Sequence, residues 1–202
     1  MGCVGVLLAG GPATRFGGFP KGLALVDERR IADRVLSALA GATDTQIVVS
    51  NAREASSWFP SHTVVADATP GVGPLAGIET SLRAADGAAV IVVAWDMPFV
   101  TTPLLRGMRA LGEAGAAAVV PTHGAAAVIE PLCAYYAAAA LDVCTQLLAN
   151  GERRAAALFE ALPTAVTIPE RLLEAHGDPH RLFMSVDSMA QLEEIGGEMP
   201  RR

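Results

Sequence analysis

Val4-Gly5-Val6-Leu7-Leu8-Ala9-Gly10-Gly11-Pro12-Ala13-Thr14-Arg15-Phe16-Gly17-Gly18-Phe19-Pro20-Lys21 is the stretch from which the fold can be read. Val4 to Leu8 is a short β-branched and aliphatic run that predicts a strand, and Ala9-Gly10-Gly11-Pro12 ends it abruptly. The loop that follows is rich in glycine and carries two cations, Arg15 and Lys21. Glycines without Cβ let backbone N–H groups approach a phosphate chain closely, and the two cations can neutralise its charge. No Gly-Lys-Ser/Thr closes the loop, so it is not a Walker A loop, and it does not match GxGxxG. Glycines alone would read as turns; Arg15 and Lys21 favour phosphate.

After the loop, Ile31, Val35, Leu36 and Leu39 recur at helical spacing, and Gln46 to Ser50 and Thr63 to Ala66 read as strands. Gly73-Pro74 opens a helix running to about Ala85, with Leu75, Ile78 and Leu82 on one face. The run from Ala88 to Ala94 is apolar on both parities, which marks a central strand covered on both faces. A helix over Pro103 to Leu111, a strand over Ala116 to Val120, a strand near Val128 and Ala-rich helices over Cys133 to Leu162 follow. Strands alternating with helices predict an α/β fold with a doubly wound, mostly parallel sheet.

With 202 residues the chain has the length of one domain, assigned to residues 1–195, with 196–202 expected to be a flexible C-terminal tail. Apolar residues make up 51% and charged residues 18%, which predicts a well-buried interior. The formal charge of -6 argues against a nucleic-acid binder, since such proteins neutralise phosphates with Lys and Arg. Cys3, Cys133 and Cys144 form no CxxC pair and read as buried thiols in a reducing compartment, so the expected location is cytoplasmic. No basic stretch of a signal peptide opens the chain, and the apolar runs have strand length, so neither export nor membrane insertion is expected.

In a parallel open sheet, ligands bind beyond the carboxyl ends of the strands where the strand order reverses. Four polar groups follow strands here: the Gly10-Gly11 loop with Arg15 and Lys21, Ser50-Asn51 with Arg53, Asp67, and Asp96. Asp96 ends a strand otherwise free of charge; it either holds Mg²⁺ carrying nucleotide phosphates, or caps the next helix or pairs with Arg15 or Lys21. Asp67 can accept a hydrogen bond from a ribose or base, help hold metal, or cap its turn. Asn51 can read a base edge or serve as a turn residue. His176 and His180 are separated by Gly177 and Pro179, which predicts a loop and no helical metal pair. No nucleophile elbow is present.

The run Val6-Leu7-Leu8-Ala9-Gly10-Gly11 through Arg15, Gly17, Gly18 and Lys21-Gly22-Leu23 resembles the signature of the molybdenum cofactor guanylyltransferases, the MobA-like nucleotidyltransferases. Further matches come in the family's order: Asp67 with Pro70 to Ile78, then Asp96-Met97-Pro98-Phe99, then Glu130-Pro131-Leu132-Cys133-Ala134-Tyr135. Phe183 to Ser188 stands in the place of the family's closing motif. The double-Gly start and the Gly73 to Gly77 turn look like the guanylyl branch.

The resemblance implies a Rossmann-like nucleotidyltransferase fold, with GTP bound by Leu8, Ala9, Gly10, Gly11, Lys21, Asn51, Asp67 and Asp96. It implies Mg²⁺ held by Asp96, and catalysis by Arg15, Lys21 and Asp96. The implied reaction transfers GMP from GTP to the terminal phosphate of molybdopterin, with release of pyrophosphate. Molybdoenzyme apoproteins or other cofactor-biosynthesis proteins are the implied partners. Departures from the pattern are Ala13, Phe16, Pro20, Trp95, and Ser185 and Asp187 where the family has asparagines. Trp95 could narrow the pocket, the stretch Ser50 to Arg53 is shifted by one so that Ser50 can take the place of Asn51, and Asp187 reads as a second metal ligand or a helix cap. Two alternatives stand beside this reading: the same transfer with another nucleotide or phosphorylated acceptor, and a carrier that holds nucleotide or cofactor without turnover.

Overall fold

The computed structural model describes residues 2–11, 16, 18–69 and 71–200. Its centre is β1 (Cys3–Leu8), whose alternating side chains go to opposite faces: Cys3 and Leu7 enter one apolar core and Val6 the other. After the glycine-rich loop come a 3₁₀ turn at Lys21–Leu23, a two-residue hairpin of β2 (Leu25–Val26) and β3 (Arg29–Arg30), and α1 (Ile31–Ala40). Next are β4 (Thr45–Val49), α2 (Ala55–Trp58), β5 (Thr63–Val65), α3 (Pro74–Ala84) and β6 (Ala89–Ala94). The second half runs α4 (Thr102–Glu113), β7 (Ala118–His123), β8 (Val128–Ile129), β9 (Cys133–Tyr136), α5 (Ala140–Ala149) and α6 (Ala155–Ala161). It closes with β10 (Ala165–Ile168), α7 (Glu170–Leu173), α8 (Pro179–Leu182) and α9 (Met189–Glu194).

The main sheet has the order β10-β7-β9-β6-β1-β4-β5, with β8 paired to β7. All its pairings are parallel except those of β9 with β6 and β7 and of β8 with β7. From β1 the chain moves outward through α1 to β4 and β5, then returns by α3 to β6 on the other side of β1. The strand order therefore reverses between β1 and β6, which is where such sheets open a crevice at their carboxyl edge. β6 is buried along its whole length: Ile91 and Val93 pack with Leu39, Leu104, Leu105 and Met108 on one face, Val90 and Val92 with Leu75, Ile78 and Leu158 on the other. A strand apolar on both parities is what such a position requires. The fold is thus the single-domain, mostly parallel α/β arrangement that the alternation of strands and helices predicts.

The structure corrects the sequence reading at Cys133. Helix was expected from there to Leu162, but Cys133 to Tyr136 forms β9, a fully buried strand between β6 and β7. Cys133 and Tyr135 face one core while Ala134 and Tyr136 face the other, a period of two that the flanking alanines obscure. Helix begins only at Ala140. β10 and the hairpin were not expected, and His180 lies in the single turn of α8, capped by Asp178, where a loop was expected. The segment after Ile195 is tied into the domain at least to Glu198, which exchanges backbone hydrogen bonds of 2.8 Å with Leu25. All three thiols are free and buried, and burial pushes Cys3 up to about 11. No helix among the described residues is long and apolar enough to cross a membrane.

Tyr136 tests this strand. Its ring is fully buried and its hydroxyl donates to the Pro131 carbonyl at 2.9 Å. Tyr136→Phe is expected to cost about 1 kcal/mol, the net worth of one hydrogen bond, and Tyr136→Ala about 3–5 kcal/mol through the cavity it leaves. Urea unfolding midpoints measure both; equal effects of the two changes would contradict the packing described.

Candidate functional site

The reversal point carries a cleft of about 430 Å³, a size suited to a nucleotide. Leu8, Gly10, Gly11, Lys21, Asn51, Asp67 and Asp96 all line it, so seven of the residues selected from the sequence meet in one place. Ala9 does not line the cleft; it is buried, its N–H donates to Val49 O at 2.8 Å and its carbonyl accepts from Ser50 Oγ at 2.7 Å. Arg15 lies outside the described residues, as do Pro12 and Ala13.

The centre of the cleft is an ion pair. Lys21 heads the 3₁₀ turn, and its ammonium contacts the Asp96 carboxylate and donates to Asp187 Oδ1 at 2.6 Å. Both the Lys21 and Asp96 side chains are nearly buried, whereas Asp187 is half-exposed. Burial by itself would lower the Lys21 ammonium, but the Asp96 carboxylate and the Asp187 hydrogen bond outweigh it and hold it above the usual lysine value. Asp187 neither caps α9, a role that Ser188 Oγ fills by accepting from Gln191 N–H, nor stands apart from the cleft: it joins the closing segment to Lys21. The Val186 N–H donates to the Asp96 carbonyl at 2.9 Å, so the same segment also holds the end of β6.

At the other end of the cleft, Asn51 and Asp67 bind each other. Asn51 Nδ2 donates to Asp67 Oδ2 and Asn51 Oδ1 accepts from the Asp67 N–H, each at 2.8 Å. Ser50, the alternative to Asn51, is buried, and its hydroxyl bridges Ala9 O and Ala52 N–H. It therefore fastens the loop after β1 to the end of β4. The N-terminus of α3 closes the wall through Gly73, Pro74 and Gly77, which the sequence reading noted as a turn but did not place at the site.

Trp95 forms the floor. It is buried, stacks on Trp58 with centroids 6.1 Å apart, and lies against Gly22 so closely that a Cβ there would enter the indole ring. Gly11 has φ 103°, a conformation that favours glycine, and faces open space. Among the described residues, three buried polar atoms in this cleft have no hydrogen-bond partner: Asp67 Oδ1, Trp95 Nε1 and Asp96 Oδ1. Buried polar atoms are normally paired, so their grouping here marks a place built for a ligand. Asp96 Oδ1 is a hard oxygen donor of the kind Mg²⁺ takes, so the residues fit a divalent cation. Among the described residues no cluster of three or more metal-ligating side chains exists, so substrate oxygens or water must complete any coordination.

A doubly wound sheet with a glycine-rich loop after its first strand, a lysine facing a strand-end aspartate and a polar pair across the cleft is an arrangement suited to a nucleotidyltransferase, and the family comparison gives that class. Residues 5–166 match the MobA-like NTP transferase domain, and the chain belongs to that family. It is 28% identical over 190 residues to a molybdenum cofactor guanylyltransferase from Desulfosudis oleivorans, covering 94% of this chain and 92% of that one. A probable molybdenum cofactor guanylyltransferase from Deinococcus radiodurans is 32% identical, with 95% and 92% covered. Among solved structures, the molybdopterin-guanine dinucleotide biosynthesis protein A from Archaeoglobus fulgidus superposes with a TM-score of 0.79 at 26% identity, covering 95% and 96% of the two chains.

The contact of Gly22 with Trp95 generates a prediction. Gly22→Ala is expected to destabilise the protein by about 1–3 kcal/mol through overpacking, and by clearly less in a Trp95→Leu background where the indole is gone. Urea unfolding of the four proteins of this cycle measures the coupling; additive effects would contradict it.

Proposed function

We propose that this chain transfers GMP from GTP to the terminal phosphate of molybdopterin, releasing pyrophosphate and leaving a guanine dinucleotide form of the cofactor. The observation that carries the reading is the meeting, in one cleft, of the Gly10-Gly11 loop, the Lys21–Asp96 pair and the Asn51–Asp67 pair. The names of the full-length relatives supply the nucleotide and the acceptor.

Asn51 and Asp67 orient each other, and Asp67 Oδ1 is left to accept from the donor groups of guanosine. Backbone N–H groups at Gly10 and Gly11 approach the phosphate chain without obstruction, because open space lies where their Cβ atoms would be. Lys21 lies at the α-phosphate, and Arg15, on the same loop, adds a second cation. An oxygen of the acceptor phosphate attacks the α-phosphorus, the bond from that phosphorus to the β-phosphate oxygen breaks, and pyrophosphate leaves. Asp96 would hold Mg²⁺, which when bound supplies charge neutralisation at the phosphates. No covalent enzyme intermediate is needed, since both reactants arrive phosphorylated. Alignment and fixed charge supply the catalysis. The three free thiols support action in a reducing compartment, the cytoplasm.

Pyrophosphate release tests this. With Mg²⁺ and molybdopterin, GTP is expected to react and CTP and ATP to react poorly. Lys21→Ala is expected to lower turnover about 100-fold or more at saturating GTP, while its melting curve stays cooperative. An unchanged rate in Lys21→Ala would remove the lysine from the chemistry. Equal rates with the three triphosphates would remove the guanine specificity.

A further inference from the structure

Two strands at the carboxyl edge of the sheet have no part in the reading above. β5, β4, β1 and β6 contribute Asp67, Ser50-Asn51, the loop and Asp96. Beyond β6 the edge continues with the start of the antiparallel β9 and the end of β7. In the β6–β9 ladder Val93 lies opposite Cys133, and the Ala94 N–H donates to Leu132 O at 2.8 Å. Beyond it both segments turn, the Cys133 N–H donating back to Glu130 O at 3.0 Å, and the Glu130 carboxylate is left near enough to Asp96 to feel its charge. On its other side the Glu130 N–H donates to Pro121 O of β7 at 3.0 Å. The Glu130 carboxylate reaches His123, the last residue of β7, with Oε1 at 2.6 Å from Nε2. The His123 ring stacks on Phe183, with centroids 5.2 Å apart and planes inclined by 29°.

This pair joins the edge at the point where the transfer needs something. In an in-line displacement the attacking and leaving oxygens stand on opposite sides of phosphorus. If guanosine lies at Asn51 and Asp67 and the departing pyrophosphate at the Gly10-Gly11 loop, the side left for the acceptor is that of Leu132, which lines the cleft, with Glu130 and His123 just beyond the lining. His123 and Glu130 are half-buried there, at 31% and 19% side-chain exposure, so both are reachable. Burial, opposed by the His123 hydrogen bond and aided by the charge of Asp96, holds the Glu130 carboxyl above its usual range. His123 Nδ1 has no partner among the described residues.

We propose that His123 and Glu130 form the subsite for the phosphorylated acceptor, with His123 as the imidazolium, donating from Nδ1–H to an anionic oxygen of the acceptor and from Nε2–H to the Glu130 carboxylate, which fixes the ring. Phe183 supports the imidazole from behind. The inference rests on the nucleotidyl-transfer reading and extends it to the second substrate. Glu130 is a positioning residue, acting through His123.

Steady-state kinetics with molybdopterin and GTP varied separately test it. His123→Gln is expected to raise the molybdopterin KM about 10- to 100-fold, the loss of one hydrogen bond to a charged group, and to leave the GTP KM within about twofold, the scatter expected where no contact is lost. Glu130→Gln is expected to shift the same constant less. The double variant is expected to be no worse than His123→Gln alone, because the two residues act as a unit. An unchanged molybdopterin KM, or an equal rise in both constants, overturns the subsite.

A second measurement needs neither variant activity nor turnover. In the wild-type chain carrying ¹⁵N-histidine, the ring signals of His123 are expected to move on addition of molybdopterin under anaerobic conditions and to stay in place with GTP alone. Movement with molybdopterin in a protein that releases no pyrophosphate would keep the subsite and sink the transfer reading. Still signals in a protein that turns over would do the reverse.

Discussion

A carboxylate at the end of a fully apolar strand is the constraint on which the rest of the molecule depends. Asp96 is carried to the crevice by β6, every residue of which is buried, and it arrives almost sealed from water. A buried charge without a partner is expensive, and the fold answers by bringing Lys21 to it from the other side of the reversal point. That one contact draws in two distant parts of the chain: the loop after β1, which delivers the lysine, and the closing segment, which delivers Asp187 and anchors Val186 on the Asp96 carbonyl. Only one oxygen of Asp96 is satisfied by this. The other has no partner among the described residues, in a side chain that lines the cleft.

The surroundings keep that arrangement rigid. Ser50 ties the loop after β1 to the end of β4, Trp95 and Trp58 stack beneath the 3₁₀ turn, and Gly22 is the residue that lets the turn rest on the indole. Two apolar layers, one on each face of the sheet, leave the carboxyl edge as the place where polar side chains collect. Asp67, Asn51, Lys21 and Asp96 line the cleft at that edge, and the Glu130–His123 pair stands beyond them. Nucleotide and acceptor would lie along that edge from one end to the other.

Much of this is legible in the sequence, for reasons that differ by residue. β1, β6 and α3 announce themselves because an apolar run stops at glycine, proline or a single acid, and these determine where the crevice lies. Asp96 and Lys21 stand out because a charge at such a place needs an explanation. The strand at Cys133 does not stand out, since four residues within an alanine-rich stretch carry too little periodicity to separate strand from helix. The Asn51–Asp67 bonds and the Lys21–Asp187 bond join residues 16 and 166 positions apart, and only the folded chain sets such pairs side by side. His123, the last residue of β7, has no pattern in the sequence to mark it; its Glu130 partner comes only with the fold. Trp95, a departure from the family pattern that could narrow the pocket, is the floor that Gly22 rests upon.

In the proposed reaction the Lys21–Asp96 pair marks where the α-phosphate of GTP sits. A crystal structure with a GTP analogue that cannot be cleaved between the α- and β-phosphates, grown with Mn²⁺, measures this directly. The α-phosphate is expected against Lys21, anomalous density for Mn²⁺ within coordinating distance of Asp96, and the guanosine at Asn51 and Asp67. A nucleotide bound with its phosphates away from Lys21, or metal density remote from Asp96, would contradict it.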